Sequence, residues 1–169
     1  MDLLAIYLND HLAGATAARE LARRAASSNR GSDYGTFLER LATDVDEDRD
    51  ELLEIMRSLQ ASVDQLKVAG GWGAEKLGRF KLNGRLLGYS PLSRLIELEA
   101  LALGVRGKLG LWRALELLVP EQPELERFEL PHLIARAERQ LNQLETYRLQ
   151  AAADAFGGDP DRATRPRSP

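Results

Sequence analysis

Leu4, Leu8, His11, Ala15, Ala18, Ala22 and Ala25 succeed one another in alternating steps of four and three, and so do Leu38, Leu41, Val45, Asp48, Leu52, Ile55 and Leu59. That spacing keeps every named side chain on one face of an α-helix and on alternating faces of nothing else. It predicts a first helix over 3–28 and a second over 35–60, joined by a short polar turn that runs from Asn29 to Gly35. Two helices of matched length and so short a connection imply an antiparallel hairpin. Asp2 is placed to cap the first helix, with Met1 and Ile6 at the spacing of a hydrophobic staple. Aromatic residues make up 6% of the chain and Leu, Ala, Glu and Arg dominate it, which favours an all-α fold over any sheet.

Beyond residue 60 the texture changes. Six glycines between Gly70 and Gly88 are interspersed with Trp72, Leu77, Phe80, Leu82, Leu86 and Leu87. This stretch, about 61–90, is expected to be a long crossover with a short extra helix around 65–80. Ser90-Pro91 then combines a capping hydroxyl with a proline suited to the first helical position, and starts a third long helix over 91–119. Apolar residues lie on more than one of its faces, and Gly104, Gly107 and Gly110 lie within it at a cost of about 1 kcal/mol each relative to Ala, implying a bend or a close neighbour. Pro120 and Pro123 mark a corner, and a fourth helix is expected from about 124, interrupted by Pro131 and ending before Gly157-Gly158. Residues 1–156 therefore read as one helical-bundle domain and 157–169 as a disordered tail.

The chain has no cysteine, so thiolate nucleophiles, disulfides and Cys-bearing metal sites are excluded. Its beginning lacks the basic start and apolar middle of a signal peptide, and no apolar run reaches the roughly 20 residues that span a bilayer. A cytoplasmic protein without membrane contact is expected. Charge is uneven: −6 over 1–66, +6 over 67–113 and −3 over 114–169. Internal complementarity, with the basic segment lying on or near the acidic second helix, explains this more simply than an external anion. Lys67, Lys76, Arg79, Lys81 and Arg85 with Trp72 and Phe80 form no known nucleic-acid module, so no nucleic-acid contact is expected. Gly70-Gly71-Trp72-Gly73 with Lys76 lacks the ending and the preceding strand of a phosphate loop. Ser90 suits a cap better than a nucleophile.

The order of hairpin, crossover of about thirty residues and second hairpin resembles the ferritin-like four-helix-bundle superfamily, over about residues 3–156. In di-metal members of that superfamily, facing helices supply carboxylates and Glu-x-x-His pairs near mid-helix. The resemblance therefore directs attention to His11, Asp48, Glu51, Glu116, Glu129 and His132 as metal-ligand candidates, with iron, manganese or zinc as the ion. His11 and His132 are the chain's two histidines, Asp48 is the one acid in the second helix's apolar stripe, and Glu129–His132 is the one Glu-x-x-His. The pattern departs from the family's because the second helix has no Glu-x-x-His and Pro131 lies inside the only one. A buried hydrogen bond between His11 and Asp48, holding the hairpin in register, is the preferred reading of those two residues. The expectation is thus a bundle without a complete di-metal centre, serving as a structural, binding or regulatory protein with no cofactor. The alternative is a metal-binding bundle with di-metal oxidoreductase or metal-storage activity. Surplus apolar faces on the third long helix suggest a homodimer.

Overall fold

The computed structural model describes residues 3–64 and 89–157 and consists of four long helices packed together, with no strand among those residues. They are α1 (Leu3–Ser28), α2 (Asp33–Ser58), α3 (Pro91–Leu118) and α4 (Leu130–Phe156), with a 3-10 turn at Pro123–Arg127 ahead of α4. Of the expected crossover, only 61–64 and 89–90 fall within this range. The short helix at 65–80 and the tail beyond Gly157 lie outside the described residues.

Helix boundaries follow from capping chemistry. Ser32 adopts an extended backbone and its Oγ accepts from Gly35 N at 3.2 Å, so α2 starts two residues earlier than the glycine suggested. Gly31, with φ of +82°, reverses the chain, and Gly35 packs so closely on the Asn29 carbonyl that a Cβ there would collide with it. At the other end of α2, Gln60 takes φ of +55°. Its N–H donates to the Arg57 carbonyl while Ala61 N–H donates to that of Met56, the paired closure of a Schellman turn built without glycine. Ser90 caps α3 as expected, accepting from Ser93 N at 3.1 Å. Pro131 does not interrupt a helix. The break falls earlier, at an extended Phe128, and Pro131 takes a place in the first turn of α4, where its missing N–H costs nothing.

The core runs through all four helices: Leu8, Leu12 and Ala22 of α1, Leu38, Leu41, Leu52 and Ile55 of α2, Leu98, Leu101, Trp112 and Leu115 of α3, and Leu133, Ala137 and Leu144 of α4. Leu125, fully buried in the 3-10 turn, closes one end. The glycines of α3 produce no interruption of the helix, and Gly104 brings it near α1, where a Cβ would stand 3.7 Å from that of Ala18. No helix among the described residues is long and apolar enough to cross a membrane.

Candidate functional site: a buried ion network

Asp48 is the only carboxylate buried among the described residues, with 3% of its side chain exposed. It occupies a core position of α2 between Val45 and Leu52, so its charge has to be answered from neighbouring helices. Lys108 of α3 answers it from one side, its Nζ donating to Asp48 Oδ2, and Arg136 of α4 from the other, donating to Oδ1. Most of the remaining donors are also used, the buried Nε of Arg136 being the exception. Lys108 Nζ donates to Gln140 Oε1 at 2.6 Å, Gln140 Nε2 donates to Asp44 Oδ2 at 2.9 Å, and Arg136 donates to Glu47 Oε2 at 2.8 Å. Three helices are thereby joined through one chain of charge-assisted hydrogen bonds. Burial pushes the Lys108 ammonium below its ordinary pKa, and the Asp48 carboxylate opposes that shift.

His11 is not among the partners of Asp48. It packs edge-to-face on Tyr7, with ring centroids 4.5 Å apart, and burial lowers its pKa while Asp10 pulls the other way. The reason lies in the register of α1 against α2. Arg49 reaches Thr16, and both Arg19 and Arg23 reach Asp46, which sets Asp48 level with the middle of α1, about residue 17 or 18. His11 is nearly two turns, roughly 10 Å, further along the helix.

The other candidates separate into two groups. Glu51, Glu129 and His132 line one open groove of about 530 Å³ between α2 and the start of α4, together with Glu47, Arg127 and Arg136. Glu129 precedes α4 as its N-cap residue, so the Glu-x-x-His lies at a helix start and not at mid-helix. Glu116 is exposed on α3. Among the described residues, no three His, Asp or Glu side chains are grouped so as to hold a metal ion. The donor set at the centre opposes one as well. A metal at Asp48 would meet Lys108 and Arg136, and two like unit charges about 4 Å apart repel by roughly 4 kcal/mol at an effective dielectric of 20. No protein-family model, curated protein or solved structure matches this chain.

A second polar network lies where the α1–α2 turn meets the start of α3 and the end of α4. Buried Asn29 donates to the Ala25 carbonyl at 2.8 Å and to Tyr89 Oη at 2.6 Å, and accepts from Arg94 Nε at 2.6 Å. Arg94 continues to Asp154, which also accepts from Tyr34 Oη at 2.9 Å, and its guanidinium lies 4.2 Å from the Tyr34 ring centroid. Tyr89 donates to Glu97, and Glu97 pairs with Arg24. Desolvation, reinforced by the carboxylates of Asp154 and Glu97 respectively, pushes Tyr34 and Tyr89 up to about 12.

Sequence reasoning found Asp48 and missed its partners, although the same signal marks one of them, Lys108, and the Gln140 that continues the chain of hydrogen bonds. Leu101, Val105, Lys108, Trp112 and Leu115 form a four-three stripe in which Lys108 is the only charged residue. Leu130, Leu133, Ala137, Gln140 and Leu144 form another, with Gln140 as its one polar residue. Of the basic middle segment, Lys108 reaches the acidic second helix, and Lys67, Lys76, Arg79, Lys81 and Arg85 lie outside the described residues. Two other cations of the segment turn elsewhere, Arg94 to Asp154 and Arg113 to Glu138.

Proposed function

We propose that the chain is a ferritin-like bundle whose centre holds an ion network where the metal-bearing members place a di-metal site, and that it serves as a structural, binding or regulatory protein. The observation carrying this reading is the neutralisation of Asp48 by Lys108 and Arg136. With two cations already on the one buried carboxylate, the centre has its counter-charges built in and no reason to recruit an external one. The helix pairings support the topology. Thr16–Arg49 and Arg23–Asp46 run antiparallel between α1 and α2, as do Glu99–Arg148 and Arg113–Glu138 between α3 and α4. Arg24–Glu97 and the Ala18–Gly104 approach make α1 antiparallel to α3, so α2 and α3 run the same way and need a connection the height of the bundle.

The competing reading, a metal-binding oxidoreductase or storage protein, has one observation on its side: Glu51, Glu129 and His132 share a groove. Arg127 and Arg136 line the same groove and counter it. Elemental analysis of protein purified without chelator, repeated after incubation with iron, manganese and zinc, separates the two. The proposed reading expects no stoichiometric metal in either sample. Metal bound at one equivalent or more, and lost in His132→Ala or His11→Ala, would overturn it.

A further inference from the structure

The large apolar side chains that the bundle exposes are gathered on one side of it. Among the described residues they are Leu3, Tyr89, Leu92, Leu103, Leu117, Leu149 and Phe156, so α3 and α4 carry five of the seven and α2 carries none. Leu103, Leu117 and Phe156 are each 70% exposed or more. On α3, Leu92, Leu103, Gly110 and Leu117 follow at intervals of eleven, seven and seven residues. That spacing holds them within about 40° of one line, which lies about 140° round the helix from the core residue Val105. The line borders Glu99 and Arg113, which turn to Arg148 and Glu138 of α4. On α4, Leu149 and Phe156 stand in line with Glu138 by the same intervals, also away from the core. The two stripes therefore flank the α3–α4 contact on its outer side. The Arg94–Asp154 pair sets Phe156 level with Leu92, and Arg148–Glu99 sets Leu149 between the levels of Leu92 and Leu103.

We propose that this surface is self-complementary and that its occupant is a second copy of the chain, with α3 packed antiparallel on α3. Two helices side by side, each about 10 Å wide, over the 25 residues from Leu92 to Leu117 give a face of about 20 by 38 Å, on the order of 750 Å². A stable interface buries about 800 Å² on each partner. Exposed apolar surface on this scale marks a site of association.

The pattern along α3 selects a second copy over an unrelated partner. A two-fold axis between residues 106 and 107 turns the helix end for end and exchanges Leu103 with Gly110. Leu103 of each copy then lies over Gly110 of the other, where a Cβ would meet nothing within 4 Å, so a knob meets bare backbone twice. Gly107 stands beside the axis with the same open space and lets the two backbones approach. Within the single bundle these two glycines cost about 1 kcal/mol each relative to Ala and gain nothing. The same axis brings Glu99, 49% exposed, level with Arg113, 57% exposed, of the second copy on the same flank. Opposite charges therefore meet at both ends of the contact. The two Arg106 side chains also share a level near the axis, a like-charge approach on an exposed flank where salt screens it. The surface faces away from Lys108, so it stands or falls separately from the reading of the centre.

Light scattering on the full-length protein tests the surface, and single thiols test the register. The wild type is expected at twice the 18.8 kDa chain mass. Leu103→Asp/Leu117→Asp should weaken association by about thirtyfold or more with unchanged helicity. The chain has no cysteine, so Gly107→Cys introduces one thiol per copy, close to the axis. Mild oxidation should link that variant into a species of doubled mass. Leu117→Cys lies on the same face, but its two copies stand about 31 Å apart along the helices and should not be linked. This thiol pair carries the test even if the double aspartate variant fails to fold. A wild-type monomer overturns the proposal, and slow maleimide labelling of Gly107→Cys in such a monomer would assign the face to another part of the same chain. A dimer that survives the double substitution overturns it too, as does linkage at position 117 without linkage at 107.

Discussion

The two polar networks of the bundle solve different problems. At the centre, Asp48, Lys108 and Arg136 carry full charges and, with the neutral Gln140, are buried or nearly so, and every link of the chain crosses between α2, α3 and α4. At the end, the most buried member is the neutral Asn29, and the charged groups, Arg94, Asp154 and Glu97, keep some contact with water. A buried ion network specifies which helices meet, but it stabilises only while complete. A network around a neutral amide tolerates the loss of one member, because water can replace it.

The largest expected effect follows from stranding the central cations. Asp48→Ala should destabilise the protein by about 3–5 kcal/mol in denaturant unfolding, because Lys108 and Arg136 then lose their buried counter-charge. Replacing Asp48, Lys108 and Arg136 together by Leu, Met and Leu should be neutral or stabilising by up to about 4 kcal/mol. Were the triple variant as unstable as the single one, the centre would depend on packing and not on charge.

Asn29→Ala should cost less, about 1–3 kcal/mol, since it removes three hydrogen bonds from a site that water can reach through Tyr89. A loss equal to that of Asp48→Ala would erase the distinction between the two networks.

Titration sharpens the contrast further. Tyr34 and Tyr89 are raised from 10.0 to about 12, so they contribute stability that is complete below pH 10 and is lost as pH rises towards 12. Lys108 is lowered, so over the alkaline range up to its ordinary value of 10.5 its burial penalty is relieved and stability rises. Tyr34→Phe should flatten the alkaline fall measured by urea midpoints from pH 9 to 12. Lys108→Met should remove the opposing rise and make the fall begin earlier. His11, also lowered by burial, contributes stability that is complete above pH 6.5 and is lost on acidification, and His11→Phe should remove that step.

The smallest effect belongs to the turn after α2. Gln60→Gly, at φ of +55°, should stabilise by about 0.5–1 kcal/mol by relieving a left-handed residue, visible as a modest rise in Tm.

The helices were legible in the sequence because stripe spacing, Ser32, Ser90 and Pro91 are local signals. The starts of α2 and α4 were misjudged where a cap competed with a stronger-looking residue, Ser32 with Gly35 and the extended Phe128 with Pro131. At the site, Asp48 stands out by itself, but pairing it with His11 requires α1 and α2 to be in register symmetrically about their turn. The turn spans only Asn29–Ser32, and the actual register moved His11 away from it. Lys108 and Gln140 could have been read from their stripes. The selection of Arg136 could not, because it depends on how α4 is rotated against α2, which no local pattern encodes.

The distribution of amines has a practical consequence. The chain contains four lysines, three of them in segment 65–88, and the fourth is Lys108, buried against Asp48. Every other cationic side chain of the bundle surface is an arginine or a histidine. Among the described residues, an acylating reagent therefore meets a single lysine, and that one is engaged by Asp48. Modification of Lys108 would time the opening of the bundle itself, and a mass spectrum would read it from one peptide.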